Sequence, residues 1–402
     1  MLYRTVLKTL AAALIVTSVV AGPAAAAAPA GEATGQRVLL QQLLDAEHVA
    51  GMPGVFAQVR DGRHMWNLAA GVADLDTGRP VRPWFRQRVG SITKTFVATT
   101  VLQLVGEHRV RLDAPIARYL PGLVPAALGQ QVTVRMLLNH TSGLGDYDEV
   151  LLSGADAVEQ LQFQSVTPQE LIRLGLSQPP TNAPGERWSY SNTNYIILGL
   201  LIERLTGHRY ATEVNRRIIG PLHLRNTYFP GTDPYIRGPH SKAYVQWTDG
   251  SLRDFSDFNM SWAWAAGELI STMADLNRFY RALLTGRLLS PALLAQMQTT
   301  VPFDPSTPEL GGYGLGLYWL AVPCGKAWGH NGGVVGYTTD SFHNLDARRQ
   351  VSVAQNASNA PLDQAYEVHR TFLATALCGP QPTTSRTGMQ RQPLASVLAR
   401  IR

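Results

Sequence analysis

The spacing of apolar residues changes three times along this chain, and each change marks a different kind of element. Helical spacing comes first: Val38, Leu39, Leu43 and Leu44 fall on one side of a helix over residues 37–46. Residues 55–60 and 64–74 then read as two strands of a hairpin, with Asp61-Gly62 at the turn. Residues 85–90 lead into a helix that opens at Ser91, whose Phe96, Val97, Val101, Leu104 and Val105 leave almost no polar face. A helix apolar on all sides is buried. Its first residue is therefore expected at a cleft, beside backbone N–H groups that the helix itself does not use.

From Glu107 to about Trp262 the pattern breaks up. Proline and glycine are frequent, and the clearest helices, over 132–138, 168–176 and 195–205, are short; Thr206-Gly207 stops the last of them. A helix over 273–284 then returns the chain to strand-like runs at 314–322, 326–329, 334–342 and 350–354, followed by a closing helix over 360–377. The spacing predicts a mixed α/β (α+β) fold: an antiparallel sheet flanked by helices, with its sheet part over 31–106 and 265–378 and an inserted all-helical part over 107–264. A site would lie in the cleft between the two parts. No repeat at solenoid or propeller periods is present.

The N-terminus stands outside this pattern. Arg4 and Lys8 precede an apolar run from Leu10 to Val20 and then small residues through Ala30, the pattern of a secretory signal peptide over residues 1–30. The run is short for a membrane anchor, so a secreted chain with no stable membrane span after cleavage is expected. The net charge of +6 is misleading. Arg4 and Lys8 carry two of those charges, and Arg386, Arg391, Arg400 and Arg402 of the 379–402 tail carry the other four. The 31–378 body is neutral, so no long-range field attracts nucleic acid. The basic tail is expected to be disordered. Cys324 and Cys378 are the only cysteines, and an even pair in an oxidising compartment favours a disulfide over two buried thiols.

The candidate chemistry rests on three motifs: Ser91-Ile92-Thr93-Lys94, Tyr190-Ser191-Asn192 and His330-Asn331-Gly332. Each alone would turn up by chance roughly once in a chain this long, so it is the ordered set that counts. Lys94 lies one helical turn from Ser91 on the same face, where its amine can reach the hydroxyl. Desolvated in a cleft, that lysine loses its proton more easily and can act as a base. Tyr190 can shuttle a proton, and the Asn192 amide can meet a substrate carbonyl or the lysine. The glycines after His330, placed between two strands, allow close backbone approach. The N–H of Gly333 could there complete an oxyanion hole with that of Ser91. His140 reads as a loop scaffold, and Glu268 and Asp275 as carboxylates favouring a helix dipole. H-E-x-x-H, Cys/His clusters and phosphate-binding glycine loops are absent from the sequence, and neither metal nor cofactor is expected.

From about Gln36 to Cys378 the chain resembles the penicillin-recognising serine hydrolases: class C β-lactamases, penicillin-binding esterases and streptomycete D-alanyl-D-alanine carboxypeptidases. The resemblance is carried by Val89-Gly90-Ser91-Ile92-Thr93-Lys94-Thr95-Phe96, Leu112-Asp113-Ala114-Pro115, His140-Thr141-Ser142-Gly143-Leu144, Ser261-Trp262-Ala263 and the stretch from Trp328 to Tyr337. It implies a β-lactamase/transpeptidase-like fold and attack by Ser91 on a carbonyl to give an acyl-enzyme that water cleaves. It leaves open whether Lys94 or Tyr190 is the acylation base. It also implies that His330 polarises the site and bonds the tyrosine, that Trp262 walls the cleft, and that Cys324 pairs with Cys378.

Two departures bear on the substrate. Asn331 stands where the carboxypeptidases have a threonine, and Leu317-Tyr318-Trp319-Leu320 lacks their carboxylate-binding arginine. Loss of a buried charge-assisted bond costs on the order of 1.5–3 kcal/mol, and Lys326 is a candidate to substitute. The resemblance favours a monomeric D-alanyl-D-alanine carboxypeptidase acting on cell-wall peptides. An esterase or class C-like β-lactamase on the same site is the second reading, and a non-catalytic peptidoglycan- or β-lactam-binding protein the third.

Overall fold

The computed structural model describes residues 30–358 and 363–380. Nearly all of the expected leader and of the expected tail lie outside the described residues, as do the first residues of the expected closing helix.

A nine-stranded antiparallel sheet is built from both ends of the chain. Its order across the sheet is Arg79–Pro80, His64–Asp74, Gly54–Asp61, Arg349–Gln355, Tyr337–His343, Gly325–Val334, Tyr318–Val322, Gly311–Tyr313 and Val301–Pro302. The early hairpin joins the late strands directly, Val55 pairing with Gln355 and Asp61 with Arg349. Everything between leaves the sheet and returns to it. Alternation along the strands gives the sheet two apolar faces. One, with Val55, Ala57, Val59, Phe342, Val351 and Val353, packs against the N-terminal helix Ala30–Val49 and the closing helix Asp363–Cys378. The other meets the Ser91 helix and Met273–Leu284, where Phe96 stacks on Phe279 with ring centroids 3.7 Å apart.

The 107–264 segment is mainly helical, including Val134–Leu138, Pro168–Ser177 and Thr193–Thr206. It is not all-helical as expected: it also carries a short hairpin, Tyr244–Gln246 with Leu252–Asp254, beside which Ala357–Ser358 runs parallel. Thr133, Thr167 and Thr272 cap their helices by accepting a backbone N–H, which fixes where those helices begin. A second expectation also needs correction. His330–Gly333 does not lie between two strands but inside one, Gly325–Val334, and the chain turns only after it. Glycine breaks strand periodicity in a sequence without breaking the ladder, because its backbone pairs as any other does.

Cys324 and Cys378 come together with Cα atoms 5.4 Å apart, within the disulfide range, between the Gly325–Val334 strand and the end of the closing helix. Beneath that helix lies a buried ion cluster. His369 Nδ1 lies 3.2 Å from Glu47 Oε2 of the N-terminal helix, and its Nε2 lies 3.0 Å from Asp340 Oδ2 of the sheet. Burial opposes the imidazolium, but the Glu47 carboxylate and the bond to Asp340 prevail and hold its pKa up to about 10. A raised pKa stabilises the fold fully below the ordinary histidine value of about 6.5, and the contribution fades as pH climbs to about 10. The urea-unfolding free-energy gap between wild type and His369→Gln should therefore shrink between pH 6.5 and 10; a constant gap would contradict an imidazolium clamp.

Candidate active site

Three distant stretches converge on the Ser91 hydroxyl. Gly90–Ile92 forms a 3₁₀ turn and the α-helix runs Thr93–Gly106, so Ser91 sits in the turn that launches the helix. Lys94 is fully buried in the first helical turn, with Nζ 2.9 Å from Ser91 Oγ. The same Nζ donates to Asn192 Oδ1 at 2.7 Å and to the Ala266 carbonyl at 2.8 Å. The Tyr190 hydroxyl donates to Ser91 Oγ at 2.8 Å.

This geometry constrains the protons. Asn192 Oδ1 and the Ala266 carbonyl are acceptors only, so a neutral Lys94 amine gives them its two hydrogens and turns its lone pair to Ser91. Burial lowers the Lys94 pKa to about 7 against the opposing pull of Asp146 and Asp148. Burial drives the Tyr190 pKa well above the ordinary phenol value, so this phenol keeps its proton. Histidines nearby are neutral: burial holds His140 well below its usual value and His330 down to about 3.

Two carboxylates that sequence reasoning missed complete the arrangement. Asp146 Oδ2 accepts from the Asn192 backbone N and from Nδ2, each at 3.1 Å, and Asp148 Oδ2 accepts from the same Nδ2 at 2.8 Å. With Nδ2 so occupied, Oδ1 of Asn192 must face Lys94. Asp146 and Asp148 follow the expected His140-Thr141-Ser142-Gly143 loop, and a pair of acids two apart in a glycine-containing loop has no periodicity to betray it.

The other sequence candidates fall as follows. His330 is buried with Nε2 2.8 Å from the Tyr313 hydroxyl and Nδ1 close to the Asn331 carbonyl. The expected bond to Tyr190 is not made, because His330 is buried among the Tyr313 and Tyr318 rings. Asn331 lies on the cleft, but its Oδ1 accepts from the Tyr318 hydroxyl at 2.9 Å. His140 serves as scaffold: its ring stacks on Tyr190 at 4.3 Å, and Nδ1 accepts from the Ser191 N–H at 3.2 Å. Glu268 ties Tyr210 to the Gly231 N–H rather than a helix start, and Asp275 sits in the first turn of Met273–Leu284 as expected. Lys326 is remote from the cleft, with Nζ 3.9 Å over the Trp319 ring.

Gly332 and Gly333 bring the strand edge against the Ser91 turn. A Cβ on Gly332 would run into the Val89 carbonyl and stand 2.8 Å from the Ser91 N, so only glycine fits. Gly333 opens onto free space in the cleft. The cleft has a volume of about 500 Å³ and is walled by Trp262, Leu152, Val158, Val245, Trp247 and Val334 around Ser91. Asp148 Oδ1, the Tyr147 hydroxyl and Trp262 Nε1, all on cleft residues, are buried without a hydrogen-bond partner. Among the described residues that line it there is no lysine or arginine. No group of three His, Cys, Asp or Glu among the described residues is placed to hold a metal, and no described helix is long and apolar enough to cross a membrane.

A serine hydroxyl between a buried lysine and a neutral phenol, on a cleft edged by strand glycines, belongs to the active-site serine hydrolases. The Beta-lactamase family profile matches residues 39–376, and the chain belongs to that family. Its fold is similar to a D-stereospecific amidohydrolase from Streptomyces sp., at 39% identity and TM-score 0.77 over 86% of this chain and 99% of that one. It is also similar to the D-amino acid amidase of Ochrobactrum anthropi SV3 complexed with L-phenylalanine amide, at 27% identity and TM-score 0.75 over 84% and 97%. Among curated proteins it is 35% identical to Esterase EstB of Burkholderia gladioli over 49% of this chain, and spans only 51% of that protein. Penicillin-binding protein 4* of Bacillus subtilis is 27% identical over 78% of this chain and 69% of its own length.

Gly332→Ala should cut turnover about 100-fold or more, the scale of a lost oxyanion-hole donor, with the fold retained by circular dichroism. Near-wild-type turnover in that variant would contradict the close strand–turn contact.

Proposed function

We propose that this protein is an exported, D-stereospecific serine hydrolase acting on amides and short peptides whose acyl residue carries a free amino group. The observation that carries this reading is the sign of the cleft. Asp148 is among the lining residues and keeps a buried, unpartnered Oδ1, and no lysine or arginine is among the described lining residues. In the free site, burial and the neighbouring Asp146 charge favour a protonated Asp148; a substrate ammonium beside its unpartnered oxygen favours the ionised form and pairs with it. A carboxypeptidase needs the opposite: a cation for the terminal carboxylate. Lys326 is stacked on Trp319, and Asn331 is engaged with Tyr318, which weighs against that reading. The likeness to the amidohydrolase and the amidase supports an amide substrate and D-stereochemistry.

In this mechanism Ser91 Oγ bonds to the substrate carbonyl carbon while its proton passes to the neutral Lys94 amine. The carbonyl oxygen, now an oxyanion, is met by the N–H groups of Ser91 and Gly333. The C–N bond breaks as Tyr190 delivers a proton to the leaving nitrogen and is itself reprotonated from Lys94. Water then attacks the ester on Ser91 and releases the free amino acid. Trp262 forms part of the cleft wall beside the acyl group, and His330 supports the site from behind through Tyr313. Residues 1–30 act as the leader, and a Cys324–Cys378 disulfide in the exported protein ties the closing helix to the sheet.

The purified mature chain should release ammonia from D-alanine amide and D-phenylalanine amide, far less from the L-amides, and none with Ser91→Ala. D-Alanine release from diacetyl-L-Lys-D-Ala-D-Ala without amide hydrolysis would instead establish the carboxypeptidase. Rapid cephalosporin or ester turnover alone would favour the β-lactamase or esterase, and ligand binding without any turnover the binding protein. Asp148→Asn should raise KM for D-phenylalanine amide by about 10-fold, roughly the worth of one charge-assisted bond. An unchanged KM would remove Asp148 from amine recognition.

A further inference from the structure

Asp146 does not line the cleft, yet two of its hydrogen bonds end on the residue that holds Lys94. We propose that Asp146 is a positioning residue: it locks the Asn192 amide with Oδ1 toward Lys94, and its negative charge sets the pH at which Lys94 becomes a base. This rests on Lys94 being the base in the proposed mechanism.

The orientation argument is one of counting hydrogens. The Asn192 side chain has two N–H hydrogens, and Asp146 and Asp148 take them at 3.1 and 2.8 Å. Asp146 additionally accepts the Asn192 backbone N–H at 3.1 Å and, through Oδ1, that of Asp148 at 3.3 Å. The amide cannot flip without placing its carbonyl oxygen against two acids. Its oxygen is therefore held on Lys94 Nζ, one of only two acceptors that fix the amine hydrogens and so aim the lone pair at Ser91.

The charge argument follows from what surrounds Lys94. From the 140–148 loop come His140, Asp146, Tyr147 and Asp148; from the following loop and helix, Tyr190 and Tyr195; from the sheet, His330 and Tyr313. Burial keeps the histidines uncharged and the four tyrosines protonated. Burial and then the charge of Asp146 push the Asp148 carboxyl well up, so the pair favours holding one proton. Burial raises Asp146 too, but the Asn192 and Asp148 backbone N–H groups favour its ionised form. Asp146 is thus the carboxylate of the pair that opposes desolvation of the Lys94 ammonium.

The sign follows. Removing that charge makes the Lys94 ammonium harder to hold, lowers its pKa and moves the acid limb of kcat/KM to lower pH. The test is the pH profile of p-nitrophenyl acetate hydrolysis, an ester that needs Ser91 but carries no amine for Asp148. Wild type should rise through about pH 7. Asp146→Asn should carry the limb down by about one pH unit, the lower end of the shift expected from a nearby opposite charge. Asp146→Ala should show the same shift and also a plateau kcat about 10-fold lower, because Asn192 is released. Asp146→Glu, which keeps the charge, should restore the wild-type limb. A lowered plateau with the limb unmoved in both Asp146→Asn and Asp146→Ala would reduce Asp146 to a structural residue and overturn the inference alone. A wild-type profile flat from pH 5 to 9 would overturn Lys94 as the base and the inference with it. Thermal denaturation of each variant separates these outcomes from misfolding.

Discussion

A lysine amine sealed inside a helix-lined core, with no charged partner in direct contact, is the constraint on which the rest of this structure turns. Burying an ammonium is costly, and the protein meets that cost by letting the proton go rather than by pairing it. The result is a base near neutral pH one helical turn from a serine. Around it, the acceptors, the neutral histidines and the protonated phenols are placed so that nothing but the two acids opposes the loss of charge.

The fold supplies this environment by splitting a sheet domain with a helical one. The Ser91 helix comes from the first sheet segment, Asp146, Asp148, Tyr190 and Asn192 from the insertion, and Gly332 from a late strand. No two of these stretches are neighbours in sequence. Their meeting depends on the early hairpin pairing with the last strand, which brings the chain ends together and leaves the insertion to cap the cleft. The His369 cluster and the Cys324–Cys378 contact both fasten the closing helix on the far side of the same sheet.

Much of this was legible in the sequence because it leaves periodic or spaced signals. The apolar Ser91 helix, the 55–74 hairpin and the helix over 273–284 all follow from side chains repeating on a buried face. The serine, lysine, tyrosine and asparagine converge as their motifs implied. What escaped was non-periodic. Gly332 and Gly333 looked like a strand break because glycine adds nothing to a hydrophobic pattern, although its backbone continues the ladder. His330 was expected on Tyr190, but its partner is decided by the packing of Tyr313 and Tyr318, which spacing along one strand does not reveal. Asp146 and Asp148 sit in a polar loop, where acids are ordinary, and only the fold brings them under Asn192. Asp148, which lines the cleft, is also the residue on which the proposed preference for an amine over a carboxylate rests.

The central claim is that Lys94 is uncharged when the enzyme works, and it can be read without any substrate. The chain has only four lysines: Lys8, Lys94, Lys242 and Lys326. Protein labelled with ¹³Cε-lysine gives few enough NMR signals to titrate individually, and Lys94→Met identifies the one of interest. The account predicts one lysine signal titrating with a midpoint near pH 7 and lost in that variant. A Lys94 signal that remains protonated to pH 9 or above would contradict it and would hand the role of base to another group.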